Sequence, residues 1–116
     1  MMLRGEIRLV DLEPTRGSEA DKRRPAVVVS NDRANLTAAR LGRGVVTVVP
    51  ITSNTGRIYP FQTLLPAEST GLRSDSKAQA EQVRSITVER LGGILGRVPA
   101  AVMAQVDEAL RLHLQP

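Results

Sequence analysis

Three short polar segments of this sequence carry the side chains that could perform chemistry. The first segment, RGSEADKRRP at residues 16–25, places Arg23 and Arg24 directly before a run of valines. Functional residues are common where a loop meets a rigid strand, and Pro25 biases the backbone of Arg24 towards an extended conformation. A guanidinium group held there could bind an anion such as a phosphate. A solvated turn, whose charges only keep the valine run from aggregating, explains the same residues equally well.

The second segment, PITSN at residues 50–54, ends the most apolar run of the chain with the hydroxyl side chains of Thr52 and Ser53. A hydroxyl beside an arginine can donate a hydrogen bond to a phosphate oxygen. A turn in which Ser and Thr bond their own backbone is the simpler interpretation of these residues taken alone.

The third segment, AEQVRS at residues 80–85, is ambiguous between helix and strand, and its strand-rich surroundings favour a strand. Alternation then places Gln82 and Arg84 on one face and Glu81 on the other. Gln and Arg side chains read base edges and phosphates. An exposed strand face is the simpler interpretation of this segment alone.

The composition excludes several kinds of chemistry. The chain has no Cys and a single His, His113, which rules out disulfides, thiol nucleophiles, Cys-based metal sites and a pair of catalytic histidines in one chain. Asp11 and Glu13 are the only carboxylates at the Asp-x-Asp or Asp-x-Glu spacing of a magnesium site. We therefore expect no bound metal, and activity that survives EDTA. There is no glycine-rich nucleotide-binding loop, and no cofactor is expected.

The charge of the chain points to an anionic partner. It carries 14 Arg and only 2 Lys against 12 carboxylates, a net charge of +4. All of the excess lies in residues 1–60, where ten basic side chains face six acidic ones. Arg is preferred over Lys where planar phosphates are bound through two hydrogen bonds, so nucleic acid is the first candidate. A codon bias towards Arg explains the composition equally well.

The hydrophobic pattern predicts a small α+β domain dominated by strands. The core must be aliphatic, because Tyr59 and Phe61 are the only aromatic residues, and Phe61 is expected to be buried. The predicted strands lie at residues 6–12 (with a bulge), 25–31 (with Pro25 first), 44–53 (interrupted by Pro50), 58–66 (with Pro60 at an edge or bulge), 76–86 and within 89–98. The predicted helices lie at residues 32–42, capped by Asp32, and 99–115, with Pro99 in the first turn.

Residues 1–116 are expected to form one domain, since no linker or repeat divides them. No apolar run approaches the roughly 20 residues that span a bilayer, and no signal peptide is recognisable. We expect a cytoplasmic protein without a membrane partner.

A set of ordered motifs resembles the MazF/PemK family of toxin endoribonucleases. The motifs are RGEI (4–7), VDL (10–12), GSE (17–19), RRPAVVVSND (23–32), VVPITSN (48–54), YPF (59–61) and EQVRSI (81–86). The resemblance implies an SH3-like β-barrel of the MazF/PemK/CcdB type, with a short helix after the second strand and a C-terminal amphipathic helix. It also implies a homodimer, metal-independent cleavage of single-stranded RNA at a short sequence, and silencing by a cognate MazE-like antitoxin.

The resemblance also assigns roles to particular residues. Arg24 of the R-P motif and Thr52 of the I-T motif correspond to the catalytic pair, and Glu19 is the acid of the G-S-E loop. Residues expected to bind RNA are Ser18, Arg23, Ser53, Asn54, Glu81, Gln82 and Arg84. One departure is Arg8, at a position where many members of the family have Trp, which affects local packing and a possible stacking contact.

RNA cleavage is chemically reasonable without a catalytic histidine. The 2′-hydroxyl of RNA is its own nucleophile, and attack on the adjacent phosphate leaves a 2′,3′-cyclic phosphate and a 5′-hydroxyl. Arg24 and Thr52 would stabilise the charge that develops on the phosphate. A guanidinium stays protonated in proteins, so we expect Glu19 to share in proton removal or to orient Arg24.

Two other functions remain open. The same small barrel could inhibit DNA gyrase without catalysis, through its C-terminal helix. Alternatively, it could bind RNA and DNA alike without turnover. Only the ribonuclease interpretation requires Arg24 and Thr52 together at the ends of two strands.

Overall fold

A computed structural model describes residues 2–12 and 23–115 of the chain. Within these residues the chain forms seven strands and three helices. In chain order they are β1 (Glu6–Asp11), β2 (Arg23–Val28), α1 (Asp32–Leu41), β3 (Val45–Thr52), β4 (Gln62–Leu65), α2 (Ala67–Thr70), β5 (Ser76–Gln79), β6 (Arg84–Thr87), β7 (Leu91–Arg97) and α3 (Ala100–Leu114). Two 3₁₀ turns, Ala80–Gln82 and Val88–Arg90, flank β6. None of the helices described is long and apolar enough to cross a membrane.

The strands form one antiparallel sheet in the order β4-β5-β3-β2-β1-β7, and β6 also pairs with β3. Strand β3 therefore has several partners. Its first half pairs with β6, its middle with β2, and its last residues, Ile51 and Thr52, pair with β5. Because β3 exchanges β2 for β5 near its end, the last side chains of β3 lie where these three strands meet.

The sheet curves into a barrel-like fold, and α2 bridges its two ends. The last residue of α2 lies close to β7. A Cβ atom built on Gly96 of β7 would lie only 2.0 Å from the carbonyl oxygen of Thr70. Gly71, which ends α2 with a φ of +84°, also contacts Gly96. The absence of a side chain at position 96 allows this contact. The described strands β4 and β7 do not pair, so the sheet is not closed by hydrogen bonds.

Successive residues of β2 and β3 point into two apolar clusters on opposite faces of the sheet. Val27 and Val49 pack with residues of α3 such as Val106. Val28 and Val48 pack in a second cluster that includes Ala38 of α1. Because both faces of these strands are covered, their sequences are continuous apolar runs rather than alternating ones. The predicted mainly-β fold, the helix after the second strand and the C-terminal helix are confirmed.

Several predicted details of the elements are wrong. Asn31, not Asp32, caps α1, because its side chain accepts the N–H of Ala34 at 2.9 Å. Asp32 instead accepts the backbone N–H of Arg4. Pro25 is the third residue of β2 rather than the first, and pairing with β3 begins only at Ala26. The missing N–H of Pro25 therefore costs no bond to β3.

Three further differences involve prolines. Pro50 lies inside β3 and does not interrupt it, since β3 exchanges β2 for β5 at this point. The strand predicted at 58–66 shortens to β4, because Pro60 lies in a turn in which Gln62 N–H donates to the Tyr59 carbonyl at 2.8 Å. Pro99 precedes α3 as its N-cap instead of lying in the first turn.

The region 76–86 is not one strand. A 3₁₀ turn at Ala80–Gln82 divides it, closed by a bond from Val83 N–H to the Ala80 carbonyl at 3.1 Å. The strand predicted for Glu81 and Gln82 is therefore wrong, but these two side chains have different surroundings, as the alternation predicted.

Candidate functional site

Arg24 and Thr52 line the same cavity, which has a volume of about 750 Å³. The register of the sheet explains why. Ala26 of β2 pairs with Pro50 of β3 at the end of the ladder between these strands, so Arg24 and Thr52 each lie two residues beyond that last pair, where the two strands separate. The cavity opens where β3 leaves β2 and turns towards β5. The two predicted catalytic residues are thus brought together by strand pairing.

Thr52 forms the turn predicted for its segment, and its side chain also lines the cavity. Its Oγ1 accepts the backbone N–H of Asn54 at 3.2 Å, which is the Ser/Thr turn expected from the sequence. That bond uses a lone pair of the oxygen and leaves its O–H proton available as a donor. The turn therefore holds the hydroxyl in place at the wall of the cavity instead of competing with a role in binding.

One wall of this cavity was not predicted from the sequence. Arg73 and Ser74, between α2 and β5, and Ser76, the first residue of β5, belong to this wall. The apolar side chains around the cavity are Leu9, Pro25, Ile51, Leu72 and Leu95. From the sequence, the stretch after α2 was interpreted as a plain connection. The cluster of Arg and Ser in LRSDS was the available signal, because these side chains are typical of phosphate contacts.

A second cavity of about 380 Å³ lies on the other side of Arg24 and shares this residue with the first. Its other lining residues are Leu12, Pro50, Gln79, Gln82 and Arg84. We call the two cavities together the Arg24 groove. Among the described residues that line it, three are arginines (Arg24, Arg73 and Arg84) and none is acidic. The groove therefore presents a positive surface that suits a phosphate-bearing chain.

Three of the residues predicted to bind RNA lie in the Arg24 groove. Ser53 lines the larger cavity, and Gln82 and Arg84 line the smaller one. Asn54 follows the groove directly and is exposed, and its Oδ1 accepts the N–H of Gly56 at 3.2 Å. Ser18 and Glu19 lie outside the described residues.

Two of the predicted RNA-binding residues lie elsewhere. Arg23 lines a separate cavity with Asp11 and Glu89, where the charges are mixed. Glu81 turns away from Gln82. Its Oε2 accepts from Nε2 of Gln62 at 2.8 Å, and its Oε1 is buried without a hydrogen-bond partner. The predicted separation of Glu81 from Gln82 and Arg84 is therefore kept, although a 3₁₀ turn and not a strand carries Glu81 and Gln82.

Arg8 has a structural role at the position where many relatives have Trp. Its Nε donates to the Glu6 carboxylate at 3.2 Å, and its NH1 donates to the carbonyl of Gly92 at 2.9 Å. The side chain is only 15% exposed. It therefore links β1 to β7 rather than offering a surface for stacking.

Metal-ligating side chains do not cluster in the described part of the chain: residues 2–12 and 23–115 contain no group of three or more His, Asp or Glu residues placed to hold a metal ion. His113 is exposed near the end of α3. Among the described residues, the polar side chains that line the groove carry guanidinium, hydroxyl and amide groups.

Fold and groove together define a small barrel-like protein with an arginine-lined groove. The family of PemK-like, MazF-like toxins of type II toxin–antitoxin systems matches residues 3–114. Endoribonuclease MazF9 of Mycobacterium tuberculosis is 69% identical over 114 residues, covering 98% of this chain and 97% of that protein. Endoribonuclease MazF2 of Mycobacterium bovis is 38% identical over 109 residues, covering 93% and 92%.

Solved structures agree with the sequence relatives. MazF from Deinococcus radiodurans matches with a TM-score of 0.76 at 28% identity, covering 99% of this chain and 97% of that chain. An endoribonuclease in complex with its cognate antitoxin, from a mycobacterial species, matches with a TM-score of 0.76 at 27% identity, covering 100% and 98%. The chain belongs to the family of PemK-like, MazF-like toxins of type II toxin–antitoxin systems. The resemblance drawn from the motifs, and with it the class of endoribonuclease toxin, is confirmed.

Proposed function

We propose that this toxin cleaves single-stranded RNA at a short sequence, without a metal ion, and that Arg24 and Thr52 are its catalytic residues. The observation that carries the proposal is that these two side chains, from different strands, line one cavity in a groove with three arginines. A purely binding or gyrase-inhibiting toxin has no need for this pairing at the strand ends.

The reaction follows from the groups in the groove. The 2′-oxygen of one nucleotide bonds to the adjacent phosphorus, and the bond from phosphorus to the 5′-oxygen of the next nucleotide breaks. The 2′-hydroxyl loses its proton to a base, and the leaving 5′-oxygen takes up a proton. The products are a 2′,3′-cyclic phosphate and a 5′-hydroxyl. Donors aimed at the phosphate oxygens lower the barrier, because negative charge builds up there in the transition state.

Arg24 and Thr52 are suited to that task. The Arg24 guanidinium offers a planar fork of donors to two phosphate oxygens, and the oriented Thr52 hydroxyl offers a third donor. Arg73, on the opposite wall, adds positive charge. Glu19 is our candidate for accepting the 2′-hydroxyl proton or for orienting Arg24, a role that rests on its place in the G-S-E motif. Glu19→Gln should then lower kcat about 10²-fold.

We propose that the RNA chain follows the rest of the groove. Gln82 and Arg84 line the smaller cavity beside Arg24, and Ser53 lines the larger one. Amide and guanidinium groups bind unpaired base edges and phosphates, so these three residues are proposed to hold nucleotides on the two sides of the scissile phosphate. Affinity should fall steeply with salt, because most of these contacts neutralise phosphate charge.

We also propose the partners implied by the family. A structure similar to this chain contains an endoribonuclease with its cognate antitoxin, which supports a MazE-like antitoxin that covers the groove. A homodimer is proposed because a second copy would extend both the small core and the positive surface. The cytoplasm is the proposed compartment, since that is where RNA and an unstable antitoxin meet.

One experiment tests the activity. Purified protein is incubated with a long single-stranded RNA in EDTA, and the product ends are mapped, beside Arg24→Ala and Thr52→Val controls. Discrete cuts with 5′-hydroxyl ends that both controls lose would support the proposal and reveal the recognised sequence. Intact RNA across varied sequences, with the protein folded, would contradict it and make a gyrase assay the next step.

A further inference from the structure

The loop that leaves the Arg24 groove carries a stack of three planar side chains. The rings of Tyr59 and Phe61 are parallel to within 2°, with centroids 5.4 Å apart. The guanidinium carbon of Arg57 lies 4.8 Å from the centroid of the Tyr59 ring. Phe61 is half-buried and, contrary to expectation, stacks on Tyr59 rather than joining the core, while Arg57 is exposed and Tyr59 is 40% exposed. The stack thus has a buried end and an open end.

Buried polar side chains hold the backbone of this loop. Lys77, only 7% exposed, donates from Nζ to the carbonyl of Arg57 at 2.5 Å. On the other side, Gln62 accepts the N–H of Tyr59 through its Oε1 at 3.1 Å. Gln62 in turn donates to the carboxylate of Glu81 at 2.8 Å. The loop is therefore held at Arg57 by Lys77 of β5 and at Tyr59 by Gln62 of β4, which keeps the stack in place before any ligand arrives.

The same side chains connect the stack to the groove. Lys77 pairs directly with Thr52 in the sheet, and Gln62 pairs with Gln79, which lines the smaller cavity. Neighbouring strands lie about 4.8 Å apart, so the anchors of the stack are one strand away from the walls of the groove. The stack therefore lies on the loop that begins at Ser53 of the groove and is anchored to strands that line the groove.

We propose that the open end of this stack, the outward plane of the Arg57 guanidinium backed by the Tyr59 ring, binds one unpaired nucleobase of the RNA by stacking, outside the scissile step. The inference rests on the proposed ribonuclease function. Its chemistry follows from the composition, because the chain has no Trp, and Tyr59 and Phe61 are its only Tyr and Phe residues. Single-stranded RNA is recognised by stacking bases on aromatic rings and on guanidinium planes. Both kinds of surface meet at this one loop, and Arg57 adds a positive charge for the phosphate that follows the base.

The test is binding of an RNA oligonucleotide that carries the mapped cleavage sequence, with 2′-deoxyribose at the attacking nucleotide so that it is bound but not cut. Tyr59→Leu should raise Kd roughly 5- to 100-fold, the range for losing one stacked base. Tyr59→Phe, which keeps the ring, should bind nearly as well as the wild type. Arg57→Lys, which keeps the charge but not the plane, should weaken binding.

A scan with abasic nucleotides separates stacking from a mere loss of loop structure. At one position of the oligonucleotide, removal of the base should weaken wild-type binding and leave Tyr59→Leu unchanged, since the contact is already lost. Tyr59 is also the only tyrosine in a chain without Trp, so the intrinsic fluorescence of the wild type should change when this oligonucleotide binds and not when the abasic one does.

The outcomes of this test are distinct. If wild-type protein cuts RNA but Tyr59→Leu binds like wild type, or is weakened equally at every abasic position, the stacking subsite is wrong and the proposed function stands. If Tyr59→Phe binds the oligonucleotide as weakly as Tyr59→Leu, the aromatic ring does not support the stacked base, and the proposal also fails. A folded wild type that neither binds nor cuts any RNA overturns both.

Discussion

The Thr52→Val substitution tests the proposed site most directly, because valine keeps the shape of the side chain and removes only its hydroxyl. In the structure this hydroxyl accepts the Asn54 N–H at 3.2 Å, and its side chain lines the cavity shared with Arg24, which leaves the hydroxyl proton available as a donor. Loss of one donor that acts on the transition state costs about 10²–10³-fold in kcat. We therefore expect a fall of that size in kcat with a smaller change in KM.

The effect of Thr52→Val on stability must be separated from its effect on catalysis. The bond to Asn54 is exposed, and a neutral hydrogen bond contributes about 0.5–1.5 kcal/mol to the free energy of unfolding. That loss is small beside a typical total of about 5–15 kcal/mol, so the variant should remain folded at the assay temperature. Denaturant unfolding monitored by circular dichroism would confirm this before kinetics are measured.

The matched control is Thr52→Ser, which keeps the hydroxyl and loses only a methyl group. Single-turnover cleavage of a short RNA in EDTA should give Thr52→Ser a rate close to that of wild type and Thr52→Val the large loss. If a folded Thr52→Val cleaves as fast as wild type, the hydroxyl does not act on the phosphate. If Thr52→Ser is as slow as Thr52→Val, the methyl packing is what matters, and the assignment of Thr52 as a donor is refuted.

Three further predictions concern charge, backbone contact and the packing of α3. Arg24→Lys keeps the charge and loses the fork of donors, so the single-turnover rate of cleavage should fall roughly tenfold or more, while the salt dependence of Kd is unchanged. Equal cleavage rates for wild type and Arg24→Lys would argue against a contact with two phosphate oxygens. Gly96→Ala forces a Cβ against the Thr70 carbonyl and should lower the free energy of unfolding, measured in urea, by about 1–3 kcal/mol. Gly93→Ala, whose Cβ would have nothing within 4 Å, should lower it little. Similar losses in the two variants would contradict the contact between Gly96 and Thr70. Asp107→Asn weakens the ion pair with Arg4, whose Nε also donates to the Val29 carbonyl, and should cost about 1 kcal/mol in the same assay, more than Glu108→Gln on the exposed face of α3.

The elements were largely predictable because their signals are local. The valine run before Ser30 and the apolar run that ends at Thr52 form buried strands, and the amphipathic pattern after Pro99 forms α3. Predictions about proline positions were less accurate. Whether Pro25 or Pro50 interrupts a strand depends on which neighbour each strand has at that point, and strand neighbours are not encoded in a local window.

The sequence by itself determined the three polar segments and, through its ordered motifs, the family. Only the tertiary structure decided which of their side chains meet. Arg24 and Thr52 share a cavity because β2 pairs with β3 in one register, and Arg73 joins them because α2 carries the following segment to the same place. The carboxylate of Glu81 bonds to Gln62 of β4, a partner that no local pattern indicated. The physical reason is the same in each case: side-chain direction along a strand follows local alternation, whereas proximity between segments follows from long-range pairing and packing, which no short stretch of residues specifies.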